Sequence, residues 1–108
     1  MQNHEDLIIV MTNVPDELLA KRIAHILVED GLAACVNIGA PSLSMYMWKG
    51  TMEGTTEVPL VIKTVAGRRQ AVMDTIAKAH PFDVPELLVL PVIGSTDAYA
   101  AWVREQTR

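Results

Sequence analysis

The sequence is short of the features that most often announce a function. It has one cysteine, Cys35, so no disulfide can close within the chain, and a reducing compartment, the cytoplasm by default, is the expectation. Long hydrophobic runs are missing. The longest clean ones, Leu7–Met11 and Leu87–Leu90, fall far below the roughly 20 residues that a membrane span needs. The N-terminal stretch as given, Met1–Asp6, lacks the positive n-region of a signal peptide. Positive charge is also scarce: nine basic residues stand against thirteen acidic ones, a net charge of −4. That argues against a general nucleic-acid binder and against a polybasic membrane-surface protein. There is no Gly-rich phosphate loop, no Ser/His/Asp motif, no C-x-x-C and no H-x-x-x-H. No low-complexity stretch interrupts the chain.

What is present is a dense alternation of elements. Half of the 108 residues are hydrophobic and 20% are charged, the composition of one ordinary folded domain spanning residues 1–108. Asp6–Asn13 reads as a strand, and its unbroken apolar run suits a central position covered on both faces. Pro15, Asp16 and Glu17 open a helix expected over Pro15–Asp30, with Leu19, Ile23, Ile26 and Leu27 on one face and Gly31 as its stop. Cys35–Trp48 reads as extended, bent at Gly39-Ala40-Pro41. Lys49-Gly50-Thr51 and Glu53-Gly54 look turn-like, and a long strand follows to Val65, with Val58, Leu60 and Ile62 on one face. A second helix is expected over Arg68–Ala79, ended by His80-Pro81. Glu86–Ile93 reads as an edge strand because Pro91 lacks a donor. A closing helix follows, capped by Ser95 or Thr96, with Tyr99, Trp102 and Val103 as its apolar stripe.

The order βαββαβ plus a C-terminal helix is that of an α+β, ferredoxin-like split-βαβ fold: an antiparallel sheet with helices on one face and strand order 4-1-3-2. Pro59 is out of place in a central third strand. Length suggests why. Met52–Val65 fully extended spans about 45 Å, whereas a domain of this size is about 35 Å across. The hairpin of the second and third strands should overhang its own core, carrying Met45, Tyr46, Met47, Trp48 and Met52 into solvent with unpaired edges. Pairing with neighbouring chains would remove both liabilities, with Pro59 at the boundary of the overhang. A closed homo-oligomer is expected.

These segments carry a family resemblance. Thr12-Asn13-Val14-Pro15-Asp16-Glu17, Leu32-Ala33-Ala34-Cys35-Val36-Asn37, Ser44-Met45-Tyr46-Met47-Trp48-Lys49-Gly50, Glu57 through Ile62-Lys63-Thr64, and His80-Pro81-Phe82-Asp83-Val84-Pro85-Glu86 through Val92 occur in order. Together they resemble the CutA family of divalent cation tolerance proteins over nearly the whole length. The resemblance implies a homotrimer whose long hairpins extend onto adjacent subunits. It also implies a link to copper and other divalent metals, and no established enzymatic activity. Its trimer is similar in plan to PII signalling proteins, which bind small ligands between subunits. A ligand-sensing or scaffolding trimer is therefore the alternative function.

The candidate metal ligands are His80, Met11 and Glu86, with Asp83 nearby in sequence. His80 matches a family histidine proposed as a copper ligand, and an imidazole suits Cu(II). Relatives carry a cysteine where this chain has Met11, and some carry a second histidine where it has Ala79. Weak copper binding centred on His80, with no required cofactor, is what the resemblance then implies. The competing structural reading is that His80 caps or packs the end of the second helix. Cys35 reads better as a small hydrophobe than as a reactive thiol. A second constellation, Trp48, Tyr46, Glu57 and Lys63, lies on the hairpin. At an intersubunit cleft Lys63 would hold an anionic ligand against an aromatic wall, with Glu57 fixing it; otherwise these residues are interface packing and structural pairing. Arg68, Arg69 and Lys63 are too few for nucleic-acid binding. A homotrimer with no nucleic-acid or membrane partner is the expectation.

Overall fold

A computed structural model describes residues 3–108. The chain runs β1 (Leu7–Val14), α1 (Glu17–Glu29), β2 (Cys35–Ile38), β3 (Ser42–Trp48), β4 (Thr51–Val65), α2 (Arg69–Ala79), β5 (Leu88–Pro91) and α3 (Asp97–Gln106). A 3-10 turn, Ala66–Arg68, leads into α2.

Side chains alternate across β1 as the strand period requires. Ile8, Val10, Thr12 and Val14 turn to one face and are buried. On β4, Val58, Leu60 and Ile62 do the same beside them. Ala20, Ile23 and Leu27 of α1 and Val72 and Ile76 of α2 cover this face and complete the main core. Full burial of each large side chain here contributes about 1.5–3 kcal/mol. The opposite face is treated differently. α3 lies over one end of it, where Ala100 and Val103 pack on Leu7, Val65 and Ala34. Beyond α3, Ile9 and Met11 are only half-buried, and Leu88 and Leu90, directly opposite them, are exposed. Within one chain the second face of the first strand is covered only where α3 lies, and the expectation of helices on one face only is corrected, since α3 packs on the face opposite α1 and α2.

The sheet order is β2-β4-β1-β5, with β3 continuing the hairpin beside β4, so the expected 4-1-3-2 plan is present in an α+β arrangement. β1 joins β4 from Leu7↔Val65 to Val14↔Val58. β2 leaves β4 after Ile38↔Leu60, and β3 takes over at Ser42↔Glu57. Pro59 sits at this change of partner. The Gly39 amide donates to the Pro59 carbonyl at 2.9 Å. In a strand the amide side of a residue faces the same way as its carbonyl, so the missing donor of Pro59 points at the Gly39–Pro41 bend, where β2 has ended, and the ladder to β1 is untouched. A Cβ on Gly39 would stand 2.8 Å from Pro59 Cγ, so glycine permits this close approach.

Thr51–Glu57 has only β3 as a partner, and the two strands leave the body together as an arm. It makes the molecule 45 × 28 × 23 Å with a radius of gyration of 14.5 Å, above the roughly 13 Å of a compact chain this long. Lys49 and Gly50 both have positive φ, 50° and 80°, as a two-residue type I′ hairpin turn requires. Glu53 and Gly54, expected in a turn, lie inside β4 opposite Tyr46 and Met45.

The helix ends follow local chemistry. Asp16 caps α1, its carboxylate accepting from the Leu19 amide at 2.8 Å, so Pro15 precedes the helix rather than opening it. Gly31, at φ 69°, ends it. The Leu32 amide reaches back to Leu27 O and the Gly31 amide to Val28 O, the Schellman pattern. β5 is shorter than the expected Glu86–Ile93, but it is an edge strand, with Pro91 opposite Ile8. In α3, capped by Thr96, the buried pair is Ala100 and Val103, while Tyr99 and Trp102 are half-exposed. The helix lies close to the sheet, and its small residues permit that approach.

Candidate functional site

His80 follows α2 as its C-terminal cap, its amide donating to Ile76 O. The ring is buried and both nitrogens are engaged. The Phe82 amide donates to Nδ1 at 3.1 Å. Nε2 stands 2.8 Å from the Asn13 carbonyl. An amide can only donate, so Nδ1 accepts and Nε2 carries the hydrogen. The Phe82 ring also packs against the imidazole, with centroids 4.8 Å apart. His80 thus ties the loop after α2 to the end of β1. Asn13 is the shared anchor: its side-chain amide donates to Glu86 at 3.1 Å. Met11 lies two residues before Asn13, on the half-buried sheet face opposite Leu88. The three expected ligands are thus gathered around the end of β1 but not onto one point, since neither nitrogen of His80 has a free lone pair. Among the described residues no three His, Cys, Asp or Glu side chains converge.

The hairpin residues part company. Tyr46, Trp48 and Glu57 line a cleft of about 620 Å³ between the arm and the loop after α2. Phe82 adds a third aromatic wall, and Glu53, Asp83 and Glu86 add carboxylates. The Tyr46 hydroxyl is held by Thr55 at 2.9 Å. Lys63 is not there. It lies six residues further along β4, about 20 Å away, opposite Ile9 and Cys35, and its ammonium donates to the Asn37 side chain. The expected grip on an anion between Lys63 and the aromatic wall does not form within a chain. Among the described residues no Lys or Arg lines the cleft, so its field favours cations, and its aromatic faces do the same. Cys35 is half-buried on the open sheet face, near Asn37. Arg68 is occupied too, its guanidinium donating to Thr107 O at 2.9 Å.

Sequence reasoning missed Asn13, Phe82 and Glu53. Asn13 stood at a strand end before Pro15, where a polar residue is ordinary, and Glu53 was drawn into a turn by its glycine neighbour.

The family model of the CutA1 divalent ion tolerance protein matches residues 8–106. The chain belongs to the CutA family. It is 38% identical to the divalent-cation tolerance protein CutA of Pectobacterium atrosepticum, over 95% of this chain and 94% of that one. Its structure superposes on the divalent cation tolerance protein of Thermus thermophilus with a TM-score of 0.91 at 36% identity, covering 94% and 99% of the two chains. The CutA of Archaeoglobus fulgidus, described as periplasmic, gives 0.91 at 29% identity, covering 94% and 99%. The family is named for tolerance, and these relatives carry no enzyme name. In this CutA chain no described helix is long and apolar enough to cross a membrane.

Proposed function

We propose that this CutA chain acts without catalysis in divalent-metal tolerance, as a cytoplasmic homotrimer with neither a nucleic-acid nor a membrane partner. The observation that carries the reading is the arm. Thr51–Glu57 and β3 each present one unpaired strand edge, a liability that pairing with another chain removes. The exposed Leu88 and Leu90, beside half-buried Ile9 and Met11, supply an apolar sheet face for copies to meet on. The number three comes from the family resemblance. Copper at His80 is weak in this reading because the metal must displace one of the ring's hydrogen bonds, each worth about 1 kcal/mol net. Sedimentation equilibrium tests the assembly: a particle of three times 11.9 kDa is expected, and a single 11.9 kDa species at micromolar protein refutes it.

A further inference from the structure

The cleft beside the arm and the open sheet face each lack what the other holds. Lys63 is the one basic residue in any described strand. It lies half-buried on the open face, directly opposite Ile9 and Cys35. Its ammonium has a neutral acceptor, the Asn37 side chain, and among the described residues no carboxylate pairs with it. Lysine is almost never fully buried without an ionic partner. If copies meet on this face, the Lys63 ammonium loses its water, and Asn37 alone does not offset that loss.

The cleft has the opposite deficit. Glu53, Glu57, Asp83 and Glu86 line it without a basic residue. Two of its aromatic walls are fixed in place, Tyr46 through Thr55 and Phe82 against His80, so little ordering is needed when a cation arrives. An ammonium gains both from the carboxylates and from the ring faces. The other lysines are poorer occupants. Lys21 pairs with Glu17, Lys49 sits in the turn at the tip of the same arm, and Lys78 lies on α2, behind the other face of the sheet. Within a chain Lys63 is about 20 Å from the cleft, beyond the reach of its side chain. A second copy has no such limit, because the arm projects past its own body.

We propose that Lys63 of each chain seats in the cleft of a neighbouring copy, where its ammonium pairs with Glu53 or Glu57 of the partner subunit. The partner thus completes the cleft, and the charge pair fixes how copies are arranged. The inference rests on the assembly proposed above and adds the contact that sets its register.

The test treats the purified, assembled protein with a water-soluble carbodiimide, which joins an amine to a carboxylate in contact with it, with loss of water and no spacer. Sedimentation is run on the same sample. Covalent species of twice and three times 11.9 kDa are expected on a denaturing gel. Mass spectrometry should find Lys63 joined to Glu53 or Glu57, a link that a separation of about 20 Å forbids within one chain. Lys63→Arg keeps the charge but removes the reactive amine; it should sediment as the parent does and lose this link. Lys63→Glu brings like charges together and should raise the concentration needed for assembly by roughly tenfold or more. An assembled parent with no Lys63 link to either glutamate overturns the inference and leaves the assembly standing, as does a Lys63→Glu protein that assembles as the parent does. A single 11.9 kDa species overturns the assembly itself, and the inference with it.

Discussion

At the scale of single residues, burial and hydrogen bonding separate those that hold the fold from those that can act. Thr12 sits on the core face of β1, 2% exposed, and its hydroxyl has no partner among the described residues. A buried, unpaired hydroxyl costs roughly 1–3 kcal/mol. Thr12→Val keeps the shape and removes the penalty, so urea unfolding should show a gain of about 1 kcal/mol; a loss would mean that the hydroxyl has a partner. His80 is the opposite case, since both ring nitrogens hold backbone groups. His80→Ala frees the buried Asn13 carbonyl and the Phe82 amide, and should cost about 2–3 kcal/mol in the same assay. It should also abolish weak Cu(II) binding in calorimetry, and unchanged Cu(II) heats would remove His80 from the metal reading. The capping role of His80 was legible because Pro81 must end the helix. Its grip on Asn13 was not, because that partner lies 67 residues away.

At the scale of elements, periodicity and punctuation carried most of the fold. Val58, Leu60 and Ile62 alternate along β4 and are buried as the pattern requires. Gly31 ends α1 with φ at 69°, so Gly31→Ala should cost about 1–2 kcal/mol in urea unfolding, the penalty of a Cβ in the left-handed region; a neutral result would contradict the Schellman end. Glycine was ambiguous elsewhere. Gly39 marks a bend because Pro41 follows and Pro59 crowds it, while Gly54 lies in a straight strand beneath Leu43. Only the Pro41 that follows Gly39 distinguishes the two locally. The stripe of α3 was misjudged for a related reason: large apolar residues draw attention, but a helix lying close to a sheet buries its small ones, here Ala100 and Val103. The aromatic cleft was only half legible, since Tyr46 and Trp48 lie on the arm but Phe82 arrives on a loop placed by tertiary packing.

At the scale of the whole molecule, the arm is the feature that length alone foretold. Its overhang follows from a 15-residue β4 set against an eight-residue β1. If bare edges and the open sheet face are where copies meet, folding and assembly are coupled, and the unfolding temperature should rise with protein concentration. A temperature independent of concentration across a hundredfold dilution would show that a chain stands alone. Leu88→Glu should weaken assembly at the same time, read as a lower sedimentation mass, because it places a charge on the apolar face opposite Met11.

The tight turn at Lys49 and Gly50 also bears on the order of events after synthesis. A ribbon closed by two neighbouring residues zips in about 1–10 μs, whereas β1 must find β4 across the whole of α1 and the hairpin itself, a slower search. The arm therefore samples its final ribbon shape before the body closes, although two strands alone are only marginally stable in water until the body supports them.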